Sequence, residues 1–278
     1  SRGCPFKCTF CSEPIWKIFG KPSFRARSVE NILEEIVYLY GRGVRELRLW
    51  CEELNTRSSW TKDLMRGIIG LRYKDLFINF NLRGDVMDEE LADLMKEAGT
   101  WMVSIGIESS SNRVLKGIQK MVTLEQISKT CMLLSRRGIK IQGYFQFFSA
   151  WEENGKLQIE SFKEVLNTIS WAFHQFHRGH LHYMFTSFST PIPDTPLWDV
   201  ATKYHLLKGK KDEKFSYLNE GMILPGVPAI EKKMAFILSF MVKAYVGMLS
   251  GNVNPKLFLH IARRNLKKYG RLKISEGY

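Results

Sequence analysis

Five segments rich in β-branched and aromatic residues recur along the chain, and each is separated from the next by a run with helical spacing. The segments are Val44–Trp50, Leu76–Asn81, Trp101–Ile107, Ile139–Phe147 and Leu181–Phe188. The first expected helix runs from an N-cap at Ser28 to Arg42 and places Val29, Ile32, Leu33, Ile36, Val37 and Tyr40 on one face. Others lie near Trp60–Leu71, from Asp88 to Gly99, from the Thr123/Gln126 capping box to Arg137, and near Gln158–Phe176. Strands that alternate with helices predict a parallel sheet with right-handed crossovers. The helix at 28–42 precedes the first of the five strands, so a βα repeat that opens on a strand places one more before Ser1 and makes six units.

A chain of 278 residues with 45% hydrophobic residues is not a disordered polymer and buries a large core without covalent staples. Its five cysteines are an odd number, which argues against a disulfide framework. The chain opens Ser-Arg-Gly-Cys with no apolar leader, so a cytoplasmic location is expected. The most apolar run, Met234–Ser250, is short for a membrane span and contains Lys243, and it reads as a packed C-terminal helix. Net charge is +13, and residues 201–278 hold 15 Lys+Arg against 5 Asp+Glu. This divides the chain into a core at 1–200 and a basic, helical extension at 201–278. The extension's positive charges are interleaved with apolar positions that suit a packed cap rather than a nucleic-acid surface.

In parallel α/β folds, chemistry gathers where strands end. The first eleven residues, SRGCPFKCTFC, would follow the strand expected before Ser1, and they place Cys4, Cys8 and Cys11 in C-x₃-C-x₂-C spacing. Thiolates suit zinc or iron–sulfur clusters. A closed zinc site needs four ligands and no fourth Cys or His lies nearby, whereas three cysteines can hold three irons of a [4Fe–4S] cluster and leave the fourth iron open. A zinc-binding or nucleic-acid-binding module remains the non-enzyme alternative.

Cys4, Cys8, Phe10 and Cys11 resemble the C-x₃-C-x-(aromatic)-C signature of the radical S-adenosylmethionine (SAM) superfamily. SRGCPFKCTFCS, RGDVMDEELADLMKEAGTWMVSIGIESSSNRVLKGIQK and SFSTPIPDTPLW resemble its cobalamin-binding branch, with Asp194 where glycine is usual. The resemblance implies a partial six-stranded (β/α) barrel, which agrees with the count of βα units. It also implies a cluster that cleaves SAM reductively to methionine and a 5′-deoxyadenosyl radical. A reduced donor of the flavodoxin or ferredoxin class would supply the electron. Cobalamin would be held by an upstream domain, and the reaction would be methyl transfer, cyclisation or rearrangement. RNA methylthiolation is the alternative within enzymes.

The resemblance also assigns site residues. Glu52 or Glu53, after the second strand of the six, would hold the SAM ammonium, with Glu52 preferred. Glu108 would accept from the ribose hydroxyls. Arg83 would contact SAM or substrate, or else pair with Asp85; Lys120 would meet the SAM carboxylate. Gln146 is a further cofactor candidate at the end of the fifth strand. Cys51 is a substrate-contact or hydrogen-donor candidate, or a packed thiol, and Cys131 reads as core. His174, His177, His180 and His182 carry metal-ligating side chains, but Gly179 breaks the helix that would align them. After the fifth strand the branch has a Gly-x-Pro-Gly-Glu-Thr loop, where this chain reads FSAWEEN. Its aromatic content predicts a wall of Tyr144, Phe148 and Trp151, with Gln146, against a bulky substrate.

Overall fold

The computed structural model describes residues 1–12, 24–207 and 227–249. Ser28 caps α1 (Val29–Gly41) by accepting from the Asn31 amide. There follow β1 (Glu46–Leu49), a 3₁₀ turn at Leu54–Thr56, α2 (Ser58–Gly70), β2 (Phe77–Leu82), α3 (Glu89–Glu97) and β3 (Thr100–Glu108). Asp88 caps α3 through the Leu91 amide. A short α4 (Asn112–Gly117) leads to α5 (Leu124–Arg136), which opens on a capping box made by Thr123 and Gln126. The chain continues through β4 (Lys140–Phe147), β5 (Ala150–Glu153), β6 (Lys156–Ile159), α6 (Phe162–His177), β7 (Tyr183–Phe188), α7 (Pro196–Lys203) and α8 (Ala229–Leu249).

Strands β1, β2, β3, β4 and β7 pair in that order, all parallel. Each crossover advances one place in the same direction, the winding of a (β/α) barrel rather than of a doubly wound sheet. The described sheet is open, with β1 at one edge and β7 at the other. Burial follows the two-residue pleat. Ile78, Phe80, Leu82, Val103, Ile105, Ile107, Ile141, Phe145 and Phe147 are buried in the main apolar core, which the helices share. The residues between them, among them Asn79, Asn81, Ser104 and Tyr144, face the other side, and a cavity opens there at the strands' carboxyl ends.

Two features depart from expectation, and a third meets it with an earlier start. The stretch from 150 is neither a loop nor the start of a helix, because β5 and β6 form an antiparallel hairpin and Gln158 lies in it. Its two-residue turn is Asn154-Gly155, with φ of 52° and 71°, the left-handed pair that hairpin turns require. The helix starts only after a Ser161/Glu164 capping box. Second, α7 runs across residue 200, packs on β5, and ties to the hairpin through Lys203–Glu152 (2.5 Å) and Tyr204 Oη donating to the Gly155 carbonyl (2.9 Å). The division expected at 200 therefore falls inside a helix bound to the core. Third, α8 packs on α6 and β7, so the apolar run is a packed helix that begins five residues before Met234. The basic segment from 250 to 278 lies outside the described residues. Among the described residues no helix is long and apolar enough to cross a membrane.

Candidate active site

The cysteine loop is pinned from two sides. The Thr9 amide donates to the Ile118 carbonyl at the end of α4, and the Thr9 carbonyl accepts from the Leu197 amide in α7, each at 2.9 Å. Phe10 packs against the main core and also against the small cluster of Ala150, Leu197, Ala201 and Leu206. The loop's own turn is closed by the Cys11 amide on the Cys8 carbonyl (3.2 Å). Cys8 is buried and Cys4 and Cys11 are half-buried. All three line one cavity of about 290 Å³ together with Phe10, Glu52, Glu53, Asn81, Arg83, Ser104, Gly106, Glu108, Lys120 and Tyr144. Burial pushes the Cys4 thiol up to about 11 and the Cys8 thiol upward as well. Among the described residues no three His, Cys, Asp or Glu side chains converge on one metal ion. A cluster that presents a separate iron to each thiolate does not need that convergence.

Glu52 and Glu53 follow β1, and the Oε2 atom of each is shut off from solvent without a hydrogen-bond partner among the described residues. Burial raises the Glu53 carboxyl to about 7, against the pull of Lys120 and Arg83. Two unpartnered buried carboxylate oxygens beside a thiol-lined cavity are acceptors without a donor, and a ligand ammonium is a donor that fits them.

Glu108 ends β3 at φ +63°, and the sheet register slips between Gly106 and Glu108 against β4. Lys120 Nζ donates to Glu108 Oε1 at 3.0 Å, in an ion pair almost wholly buried. Burial alone would lower the Lys120 pKa, but the charges of Glu108, Glu53 and Cys8 outweigh it and hold the ammonium charged. A Cβ at Gly106 would lie 2.5 Å from Lys120 Nζ and 2.6 Å from Glu108 Oε1, so a side chain there would displace the ends of the ion pair.

Arg83 lines the cavity, and its guanidinium is anchored through Nε and Nη2. It grips both oxygens of Asp85 (2.8 and 3.1 Å), donates to the Lys120 carbonyl (2.7 Å) and lies 3.5 Å from the centre of the Phe6 ring. Asn55 braces the same turn, accepting from the Arg83 amide (2.8 Å) and donating to its carbonyl (2.9 Å). Arg83 thus joins the end of β2 to the cysteine loop and to the residue that bears Lys120.

The aromatic wall is smaller than expected. Tyr144 lines the cavity, and its ring meets Phe185 of β7 edge-on at 5.5 Å. Phe148 stacks on Phe188 and Trp151 packs over Gly117 of α4, so neither lines the cavity. Gln146 is buried with Oε1 unpartnered but is not a lining residue either. Cys51 lies elsewhere: its Sγ donates to the Leu49 carbonyl (3.4 Å), and it lines a larger cavity of about 650 Å³ at the β1 edge that holds none of the three loop cysteines. Cys131 is in the core. His174 Nδ1 bonds the Ser170 carbonyl, His180 Nδ1 bonds Gln175, and His182 Nδ1 accepts from the Ile141 amide. Reasoning from the sequence missed Asn81 and Ser104; carrying the two-residue period along each strand would have placed them on the cavity side.

A family model described as the radical SAM superfamily matches residues 1–147. An uncharacterized methyltransferase of Pyrococcus horikoshii is 30% identical over 230 residues, which is 81% of this chain and 46% of that protein. The chain thus spans under half the length of that relative. The radical SAM methyltransferase TsrM of Kitasatospora setae, solved with cobalamin and a [4Fe–4S] cluster, superposes with a TM-score of 0.60 at 20% identity, covering 81% of this chain and 42% of that one. The cobalamin-dependent radical SAM enzyme OxsB, solved with aqua-cobalamin and SAM, gives 0.64 at 16% identity over 96% of this chain and 45% of that one. At these identities the two structures speak for a shared fold.

Proposed function

We propose, from the premise that the chain belongs to the radical SAM superfamily, that Cys4, Cys8 and Cys11 hold a [4Fe–4S] cluster, that SAM lies beside it, and that the larger protein is a cobalamin-dependent methyltransferase acting at carbon. The observation that carries this reading is the single cavity in which three loop thiols meet the unpartnered oxygens of Glu52 and Glu53 and the Glu108–Lys120 pair. When bound, the reduced cluster supplies one electron to the sulfonium of SAM, which releases methionine and a 5′-deoxyadenosyl radical.

The chain's own residues position and shield. Glu52 and Glu53 hold the ammonium of SAM, with the deeper desolvation at Glu53 making its charge the stronger partner. Glu108 accepts from vicinal ribose hydroxyls with its geometry fixed by Lys120. Lys120 keeps the cavity from accumulating unopposed negative charge. Arg83 packs on Phe6 and pairs with Asp85, and through them holds the cysteine loop. Tyr144 presents an aromatic edge to the substrate and helps exclude water from the path of the radical.

Methyl transfer and cobalamin are supported by the Pyrococcus relative, named a methyltransferase, and by TsrM and OxsB, both described as cobalamin-bound. The test uses the full protein that carries this chain. After anaerobic reconstitution with iron, sulfide and cobalamin, SAM and a reduced flavodoxin should yield 5′-deoxyadenosine. A protein that holds about four irons per chain and binds SAM, yet forms none, overturns the reading.

A further inference from the structure

We propose that Glu160, a buried carboxyl at the exit of the β5–β6 hairpin, is a positioning residue that holds Glu108 in its cavity-facing conformation. The proposal rests on the reading of Glu108 as a SAM contact. Its starting point is the backbone at Glu108. The Ser109 amide donates to the Ile107 carbonyl at 2.8 Å across a residue with φ +63°. That makes Glu108 the middle of a γ-turn of the rare, strained kind. A residue with a side chain persists there only where its surroundings over-determine it.

On the cavity side Lys120 grips the Glu108 carboxylate. On the opposite side, the residue immediately after the strained one is anchored: Ser109 Oγ donates to Glu160 Oε1 at 2.7 Å, with both groups buried. The next residue is tied as well, its amide donating to Thr168 Oγ1 of α6 at 2.9 Å. Glu160 is itself immobile. Its amide donates to the Ser149 carbonyl (2.8 Å), and its Oε2 accepts from the Ser149 amide (3.3 Å). This carboxyl therefore joins the end of β4, the exit of the hairpin and the turn that aims Glu108. No cation pairs with it among the described residues, and burial pushes it up to about 7. Such a group is costly to bury and carries no chemistry of its own in the cavity, which is understandable if its work is to fix its neighbours.

The test is SAM affinity of the reconstituted full protein, measured by equilibrium dialysis, with iron content as the control for folding. Glu160→Ala and Ser109→Ala are each expected to weaken SAM binding about tenfold, the scale of one lost hydrogen bond to a charged group, with iron content unchanged. Glu160→Gln, whose carbonyl can take the Ser149 amide while its NH₂ donates to Ser109 Oγ, keeps both ties and should stay within about twofold of the parent. The deciding measurement is the double variant. In a Glu108→Ala background, Glu160→Ala should cost nothing more, because both act through one contact. An unchanged affinity in Ser109→Ala, or a Glu160→Ala loss that persists undiminished in the Glu108→Ala background, overturns the proposal. If Glu108→Ala alone leaves SAM binding intact, the reading of Glu108 falls first and takes this inference with it. Should Glu160→Ala not fold, Ser109→Ala and its double variant with Glu108→Ala carry the same comparison.

Discussion

Replacing Glu53 by glutamine should make the cluster-free protein more stable while weakening SAM binding, and the gain should depend on pH in a defined direction. The carboxyl titrates near 4.5 in an ordinary setting and near 7 in the fold, chiefly because its Oε2 is cut off from water. The folded state therefore keeps the proton over a range where the unfolded chain has lost it. Stability is lost as pH rises from about 4.5 to about 7, and the loss is then complete. At 1.36 kcal/mol per unit the penalty reaches roughly 3 kcal/mol at pH 8, about 2 at pH 6 and close to nothing at pH 4.5. Glutamine has no ionisation to penalise, so the Glu53→Gln advantage in urea unfolding of the cluster-free protein should follow those values. SAM affinity should fall because a neutral amide replaces the charge that faces the ammonium. A stability difference that is flat between pH 5 and pH 8, or a variant less stable throughout, would refute the assignment of Glu53 as a strained, desolvated acid kept for a cationic ligand.

Cys4→Ala, Cys8→Ala or Cys11→Ala should each abolish the brown colour and the iron of the reconstituted protein without preventing folding, as read by absorbance, iron assay and circular dichroism. Glu108→Gln should weaken SAM binding while the cluster spectrum stays intact, and unchanged affinity would return Glu108 to a structural role. Gly117→Ala should lower the melting temperature, because the new Cβ overlaps the Trp151 indole and sits 2.6 Å from its Nε1; overpacking of this kind costs about 1–3 kcal/mol. Since the residue after Gly117 accepts the Thr9 amide, the same variant should also load less iron.

The order of elements was legible because the helix starts carry local chemistry that tertiary structure rarely overrides: Ser28, Asp88 and Thr123 each cap the helix their sequence context predicts. The hairpin at 150–159 was misread even though its signal was present. Asn154-Gly155 marks a two-residue turn, but a loop expected through Asn154 and a helix expected from Gln158 leave no strands on either side of it. The wall expected of Phe148 and Trp151 rested on their place after the fifth strand. In the structure the hairpin carries Trp151 onto α4, and Phe148, at φ +58°, turns away to stack on Phe188. Asp194, which stands where the family resemblance has glycine, shows how a sequence departure can conserve geometry: its φ is +64°, the region glycine favours and aspartate tolerates better than most residues. Arg83 illustrates a limit of another kind. Its position after a strand marks it as a cavity residue, but only the fold reveals that Asp85 and the Lys120 carbonyl take its Nε and Nη2 donors and that Phe6 packs on its face.

The balance of fixed charge around the cavity explains why the two glutamates after β1 stay unpartnered. Arg83 is matched by Asp85 and Lys120 by Glu108, each within 3.0 Å. Glu52 and Glu53 are then left with no cation in contact among the described residues, beside thiols that become anionic when they bind metal. A protein has no folding reason to bury two such acceptors, since either could be satisfied by one more lysine or by exposure. A ligand of net charge +1 that presents an ammonium to these oxygens would reduce the imbalance on arrival. The same charges resist anionic ligands, and at Glu53 they resist ionisation itself until a cation is present. On the proposed reading, selection for a cationic partner is built into the residues beside the cysteine loop, and it costs the unliganded protein stability at the Glu53 carboxyl.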